Sequence, residues 1–139
     1  EKGGHVIIQT FSPEHPCVRD AARHDYASFA KRELRERQRH GYPPFTRVAR
    51  IVCEGKSEET VQRRCAGIVE AIKARAKTGG TAVLGPAPAP IARIKGKARW
   101  HALIKAPDSA AMRLALEAVD HRKTGGVEVT VDVDPAGMM

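Results

Sequence analysis

Apolar and polar positions along the chain fall into blocks whose spacing alternates between the strand period and the helix period. Residues 5–11, HVIIQTF, make a short apolar run of the kind a buried strand shows, and Ser12-Pro13 and His15-Pro16 stop it. No second strand pattern lies nearby in sequence to pair with it, so it reads as a strand borrowed from another domain. From Val18 to His40 the spacing is helical, with Ala22, Tyr26, Phe29 and Ala30 forming an apolar stripe. Gly41 and Pro43-Pro44 end this helix and mark a domain boundary.

Beyond the boundary the alternation becomes regular. Residues 46–54, TRVARIVCE, predict a strand. Ser57 caps a helix whose first turn carries Glu58 and Glu59, the correct sign for a helix N-terminus. Val61, Cys65, Ile68, Ile72 and Ala76 share one face of that helix, and Gly79-Gly80 closes it. A second strand runs from Ala82, Val83 and Leu84 into GPAPAPIARI, turns at Lys95-Gly96-Lys97, and returns as a third strand over roughly residues 99–106. Pro107 with Asp108 or Ser109 starts a second helix carrying Met112, Leu116 and Val119, which Gly125-Gly126 ends. In the last strand Val127, Val129, Val131 and Val133 point inward, with Glu128, Thr130, Asp132 and Asp134 outward.

The order β-α-β-β-α-β predicts an α+β fold of the split β-α-β, ferredoxin-like kind: an antiparallel sheet with two helices on one face. The last strand should then lie beside the first. The expected divisions are residues 1–17 (terminal strand), 18–41 (basic linker helix) and 42–139 (the α+β domain).

Composition narrows the class. With 139 residues and 42% hydrophobic content the chain can bury a core, and no apolar run approaches the ~20 residues that cross a bilayer. The opening Glu1-Lys2-Gly3-Gly4 has neither a secretory pattern nor an initiator Met, so a fragment of a longer protein is expected. Cys17, Cys53 and Cys65 lack metal-ligand spacing and suit a reducing cytoplasm as small buried hydrophobes. The net charge of +8 points first to nucleic acid, then to an acidic protein partner, with a surplus of solvated cations as the alternative.

No enzymatic constellation is present: there is no GxxxxGK[ST] phosphate loop, no GxSxG elbow and no paired histidines at zinc-helix spacing. Asp132 and Asp134 either hold a hard cation or are neutralised by basic neighbours such as Arg50. The basic half-helix KRELRERQRH, residues 31–40, either is solvated or meets DNA. The hairpin is the sharper signal. Arg93, Lys95, Lys97 and Arg99 surround Gly96, and Trp100, the one tryptophan, follows. Lysines at such a tip reach phosphates, and the indole either stacks on a base or packs against Pro88 or Pro90.

VIIQTFSPEHP, GYPPFTRVARIV, LGPAPAPIARIKGKARWHALIKAP and the terminal VDVDP, in that order over nearly the whole chain, resemble the C-terminal part of the PriA (primosomal protein N′) family of bacterial replication-restart DNA helicases. The resemblance implies that HVIIQTF is the last strand of the second helicase lobe, and that residues 42–139 form a domain similar in fold to a small-subunit ribosomal protein. It implies an ATP-driven 3′→5′ helicase for the parent protein, using magnesium and zinc bound upstream. The segment itself is implied to bind forked or single-stranded DNA, to dock the acidic tail of single-stranded DNA-binding protein, and to meet other primosome proteins near the bacterial nucleoid. The family's ATPase motifs and zinc cysteines are missing here, so this chain should have no catalytic residue, no metal and no cofactor. The DNA-contact candidates are Arg93, Lys95, Lys97, Arg99, Trp100 and Lys105. The family's tail contact lies partly at the start of the second helix, where DSAAMRLA offers Arg113 alone. A purely protein-docking module and a ribosomal-type RNA binder are the other readings.

Overall fold

A computed structural model of the chain describes residues 3–76 and 80–135. Two compact units meet between His40 and Gly41. The first holds α1 (Pro16–Ala22) and α2 (Tyr26–His40). The single helix expected from Val18 to His40 is broken, with His24 at φ +54. The cause is local: the Asp25 carboxylate accepts a hydrogen bond from the Ser28 amide at 3.0 Å and so starts a new helix. Arg32 of α2 pairs with Asp20 of α1 across the break. Residues 5–11, expected to be a strand belonging to another domain's sheet, are not paired as a strand here. A strand needs a second strand for its backbone groups, and the four strands of the chain's sheet pair only with one another; Val6, Ile7 and Phe11 are left almost fully exposed.

The second unit has β1 (Arg47–Gly55), α3 (Glu58–Arg75), β2 (Ala82–Ile94), β3 (Lys97–Ala106), α4 (Ser109–Leu116) and β4 (Glu128–Val133). The sheet order is β2-β3-β1-β4 with every pairing antiparallel, the ferredoxin-like split β-α-β arrangement. The last strand does lie beside the first. Ser57 caps α3 through the Thr60 amide, with Glu58 and Glu59 in the first turn. The side chains of Val61, Cys65, Ile68, Val69 and Ile72 bury from α3. They join Ala49, Ile51 and Cys53 of β1 and Ala102 and Ile104 of β3 in one core, completed by Met112 and Ala115 of α4. Gly79, expected to close α3, lies outside the described residues; Gly80 follows at φ +65.

Two expectations at the C-terminal end need correction. The second helix does not run to Gly125 but stops at Leu116. Asp120 then organises the chain. Its carboxylate accepts from the Arg122 amide and side chain, and Arg64 of α3 donates to its carbonyl and carboxylate. These bonds hold the Asp120 carboxyl low, at about 2. Gly125 and Gly126, both at positive φ, form the turn that brings Thr124 opposite Val127. Second, the inward row of valines fades: Val127 and Val129 are buried, but Val133, at the end of the last strand, is 45% exposed.

Replacing Ile51 with alanine should lower unfolding free energy by about 2–5 kcal/mol, since a well-packed site cannot collapse around the lost atoms. Val133→Ser should cost less than about 1 kcal/mol, as expected for a surface substitution. Urea denaturation followed by circular dichroism measures both.

Candidate nucleic-acid interface

Period-two alternation divides the candidate residues between two faces of the sheet. On β3, Ala98, Ala102, Ile104 and Ala106 are buried beneath the helices. Trp100 shares their parity, packs against the core, and lies across from Pro88 in the strand register. Lys97, Arg99, His101 and Lys105 have the opposite parity and occupy the open face. The structure therefore brings Lys97, Arg99 and Lys105 onto one face and sends Trp100 to the other. That division follows from residue parity alone, a signal available in the sequence once the strand is placed.

The hairpin charges are largely answered from within the domain. Arg93 pairs with Glu58 at 2.9 Å, and Lys97 with Glu54 at 2.7 Å and Glu128 at 3.6 Å. Those carboxylates hold the Lys97 ammonium above its ordinary value. Arg99 lies 3.7 Å from Glu54 and donates to the Ile91 carbonyl. Lys95 stands at the exposed tip at φ +48 beside Gly96 at φ +77, and makes no ion pair among the described residues. Lys105, at the far end of the strand, sits 3.7 Å above the Tyr42 ring.

Sequence reasoning missed several neighbours. Arg50, Val52 and Glu54 of β1 share the open face, with Val52 opposite His101 and Glu54 opposite Arg99. His101 Nδ1 is buried without a hydrogen-bond partner. Burial, and then the charges of Arg50 and Arg99, push its imidazole below the ordinary histidine value. Asp132 and Asp134 are answered by Arg50 at 3.5 Å and Arg47 at 2.7 Å, the neutralised alternative. Among the described residues no group of three or more His, Cys, Asp or Glu could hold a metal ion.

Arg113 lies elsewhere, on α4. It borders a shallow groove of about 220 Å³ with Arg47, Ser109, Met112, Leu116 and the exposed Val133. Arg47, contributed from β1, was not visible as a neighbour in the sequence. The groove's lining thus joins apolar side chains with two arginines.

Known proteins are similar to this chain in sequence. The family model of the primosomal protein N C-terminal domain matches residues 38–136. The replication restart protein PriA of Synechocystis sp. is 36% identical over 136 residues, 97% of this chain. Its counterparts in Haemophilus influenzae and Treponema pallidum are 31% and 35% identical over 97% and 98% of the chain. The chain spans 16%, 19% and 21% of the lengths of these three relatives. Among solved structures, the de novo designed protein Foldit4 is similar at 22% identity with a TM-score of 0.45, over 63% of this chain and 94% of its own.

Because the folded His101 binds its proton less tightly than an unfolded histidine, protonation favours unfolding. The effect is absent above about pH 6.5 and grows as pH falls through that value, levelling off below the folded-state value. The melting temperature of the parent should therefore drop more between pH 7 and pH 5 than that of His101→Gln, measured by differential scanning calorimetry.

Proposed function

The chain belongs to the family of the primosomal protein N C-terminal domain, and on that premise we propose that it is the C-terminal segment of a PriA-like, ATP-dependent 3′→5′ DNA helicase that restarts replication in the bacterial cytoplasm. Within that protein the segment binds forked or single-stranded DNA and docks the acidic tail of single-stranded DNA-binding protein. ATP, magnesium and zinc belong to the parent's upstream segments. The cysteines present do not fit a zinc site: Cys53 and Cys65 lie in the core, and among the described residues no third His, Cys, Asp or Glu joins them in a group. On its own, the chain should be inactive as an ATPase.

The observation that carries the DNA reading is the hairpin end of the sheet. Four cations from seven residues of chain surround Gly96, and two of them, Arg93 and Lys97, reach the exposed carboxylates of Glu58 and Glu128. Exposed pairs of this kind are worth about 0–1 kcal/mol each, so a phosphate exchanges for Glu58 or Glu128 at little cost. The chemistry required is charge neutralisation and positioning, with no bond made or broken.

A separate observation favours the docking role. The groove beside Arg113 is lined by Leu116 and the exposed Val133 together with two arginines. That suits a peptide combining carboxylates with a large apolar side chain. Arg47 is already engaged by Asp134, so Arg113 is the cation that greets the peptide.

Fluorescence anisotropy with forked DNA, linear duplex, single strands, RNA and an acidic peptide tests both roles. Forked DNA should bind most tightly of the nucleic acids; RNA preference would favour the ribosomal-type alternative. Alanine at Arg93, Lys95, Lys97 and Arg99 together should flatten the slope of log K against log [salt] on duplex DNA by about 2 units. All four on phosphate would give roughly 3.6. An unchanged slope would remove the hairpin as the DNA site. Arg113→Ala should weaken the acidic peptide by about tenfold or more, the loss of one charge-assisted contact, and leave DNA affinity unaltered. Equal loss of both would contradict separate sites.

A further inference from the structure

At the hairpin end of the sheet a cleft of about 400 Å³ is lined by three connections that are far apart in sequence. Each contributes one lysine: Lys56 between β1 and α3, Lys97 at the start of β3, and Lys123 before the turn into β4. Bringing three like charges to one cleft costs self-repulsion, and the carboxylates nearby answer only part of it. Glu54 and Glu128 in the cleft wall are engaged by Lys97, and Glu54 also by Arg99. Lys56 and Lys123 are exposed and make no ion pair among the described residues. The N-terminus of α3 adds no free positive pole, since Ser57 caps it and Glu58 and Glu59 occupy its first turn.

The remaining wall is made by the small polar residues Ser57 and Thr60 and by glycine backbone. Gly125 and Gly126 line it without side chains, and a Cβ at Gly126 would meet open space. Val127, the apolar residue there, is 1% exposed and offers no surface to an apolar side chain. Such a cleft has cations and room but no apolar anchor, unlike the groove at Arg113. It fits the phosphodiester backbone of a nucleic acid and not an acidic, apolar peptide.

We propose that Lys56 and Lys123 hold phosphates of a DNA strand that crosses the hairpin end of the sheet, while Lys97 stays on Glu54. This deepens the DNA-binding role proposed above and rests on it. The cleft extends the contact surface from the hairpin tip, where Lys95 stands, to the far side of β1.

The test uses the chain as it stands and a single-stranded oligonucleotide, titrated across a salt series. The double variant Lys56→Ala/Lys123→Ala should flatten the log K against log [salt] slope by about 1.4 units, two contacts at roughly 0.7 each on a single strand. Its melting temperature should match the parent's. Lys56→Arg/Lys123→Arg should keep the slope. Arg63→Ala/Lys73→Ala, which removes the same charge from the exposed face of α3, should also keep it. An unchanged slope in the first variant, while Lys95→Ala lowers it, overturns the cleft and leaves the hairpin reading standing. Equal losses in both double-alanine variants reduce the effect to net charge and overturn it too. If the parent has no affinity for DNA, the DNA reading falls and the cleft with it. Loss of acidic-peptide binding in Lys56→Ala/Lys123→Ala, with DNA affinity unchanged, overturns the assignment to phosphate.

Discussion

Strand β1 is hydrogen-bonded along both edges, to β3 on one side and β4 on the other, and its two sets of side chains have opposite duties. Ala49, Ile51 and Cys53 enter the core beneath the helices. Arg50 and Glu54, with Val48 and Val52 between and beside them, face the open side. A slip of one residue would exchange these sets, placing a guanidinium and a carboxylate where Ile51 now packs. The register is therefore strongly specified, and it fixes everything at the hairpin end. Glu54 is the residue that Lys97 and Arg99 both meet, and its position follows from where Ile51 must be.

The net charge of +8 gives a poor picture of where surplus cations are. Three of the four hairpin cations have carboxylate partners, Glu54, Glu58 and Glu128 among them. Around the hairpin end, what is left over sits in loops: Lys95 at the tip, Lys56 after β1 and Lys123 before β4. The open face behind them is half-buried and paired, with a neutral-leaning imidazole at its centre. Electrostatics therefore favours the end of the sheet over its flat face as the meeting place for a polyanion.

Much of the fold was legible in the sequence. Ser57, Glu58 and the 61–65–68–72 stripe defined α3 closely, because cap, dipole and periodicity agreed. The β-α-β-β-α-β order was legible for the same reason. The misreadings occurred where one signal stood alone. The Val18–His40 stripe concealed the cap at Asp25. The run to Gly125 hid the bonds that Asp120 makes to Arg64, across a separation of 56 residues that no local pattern reports. At the site, residue types were legible and their partners were not. Which glutamate meets Lys97, and that Arg47 stands beside Arg113, depend on strand register and helix packing.

The surface assigned to DNA is best tested by mapping it directly, with backbone amide chemical shifts of the isotopically labelled chain followed during titration with a forked DNA. The largest changes should fall at residues 55–57, 93–99 and 123–127, with the amides of Ser109–Leu116 unmoved. Changes concentrated in Ser109–Leu116, or in the basic helix over residues 31–40, with the hairpin end unmoved, would contradict the account.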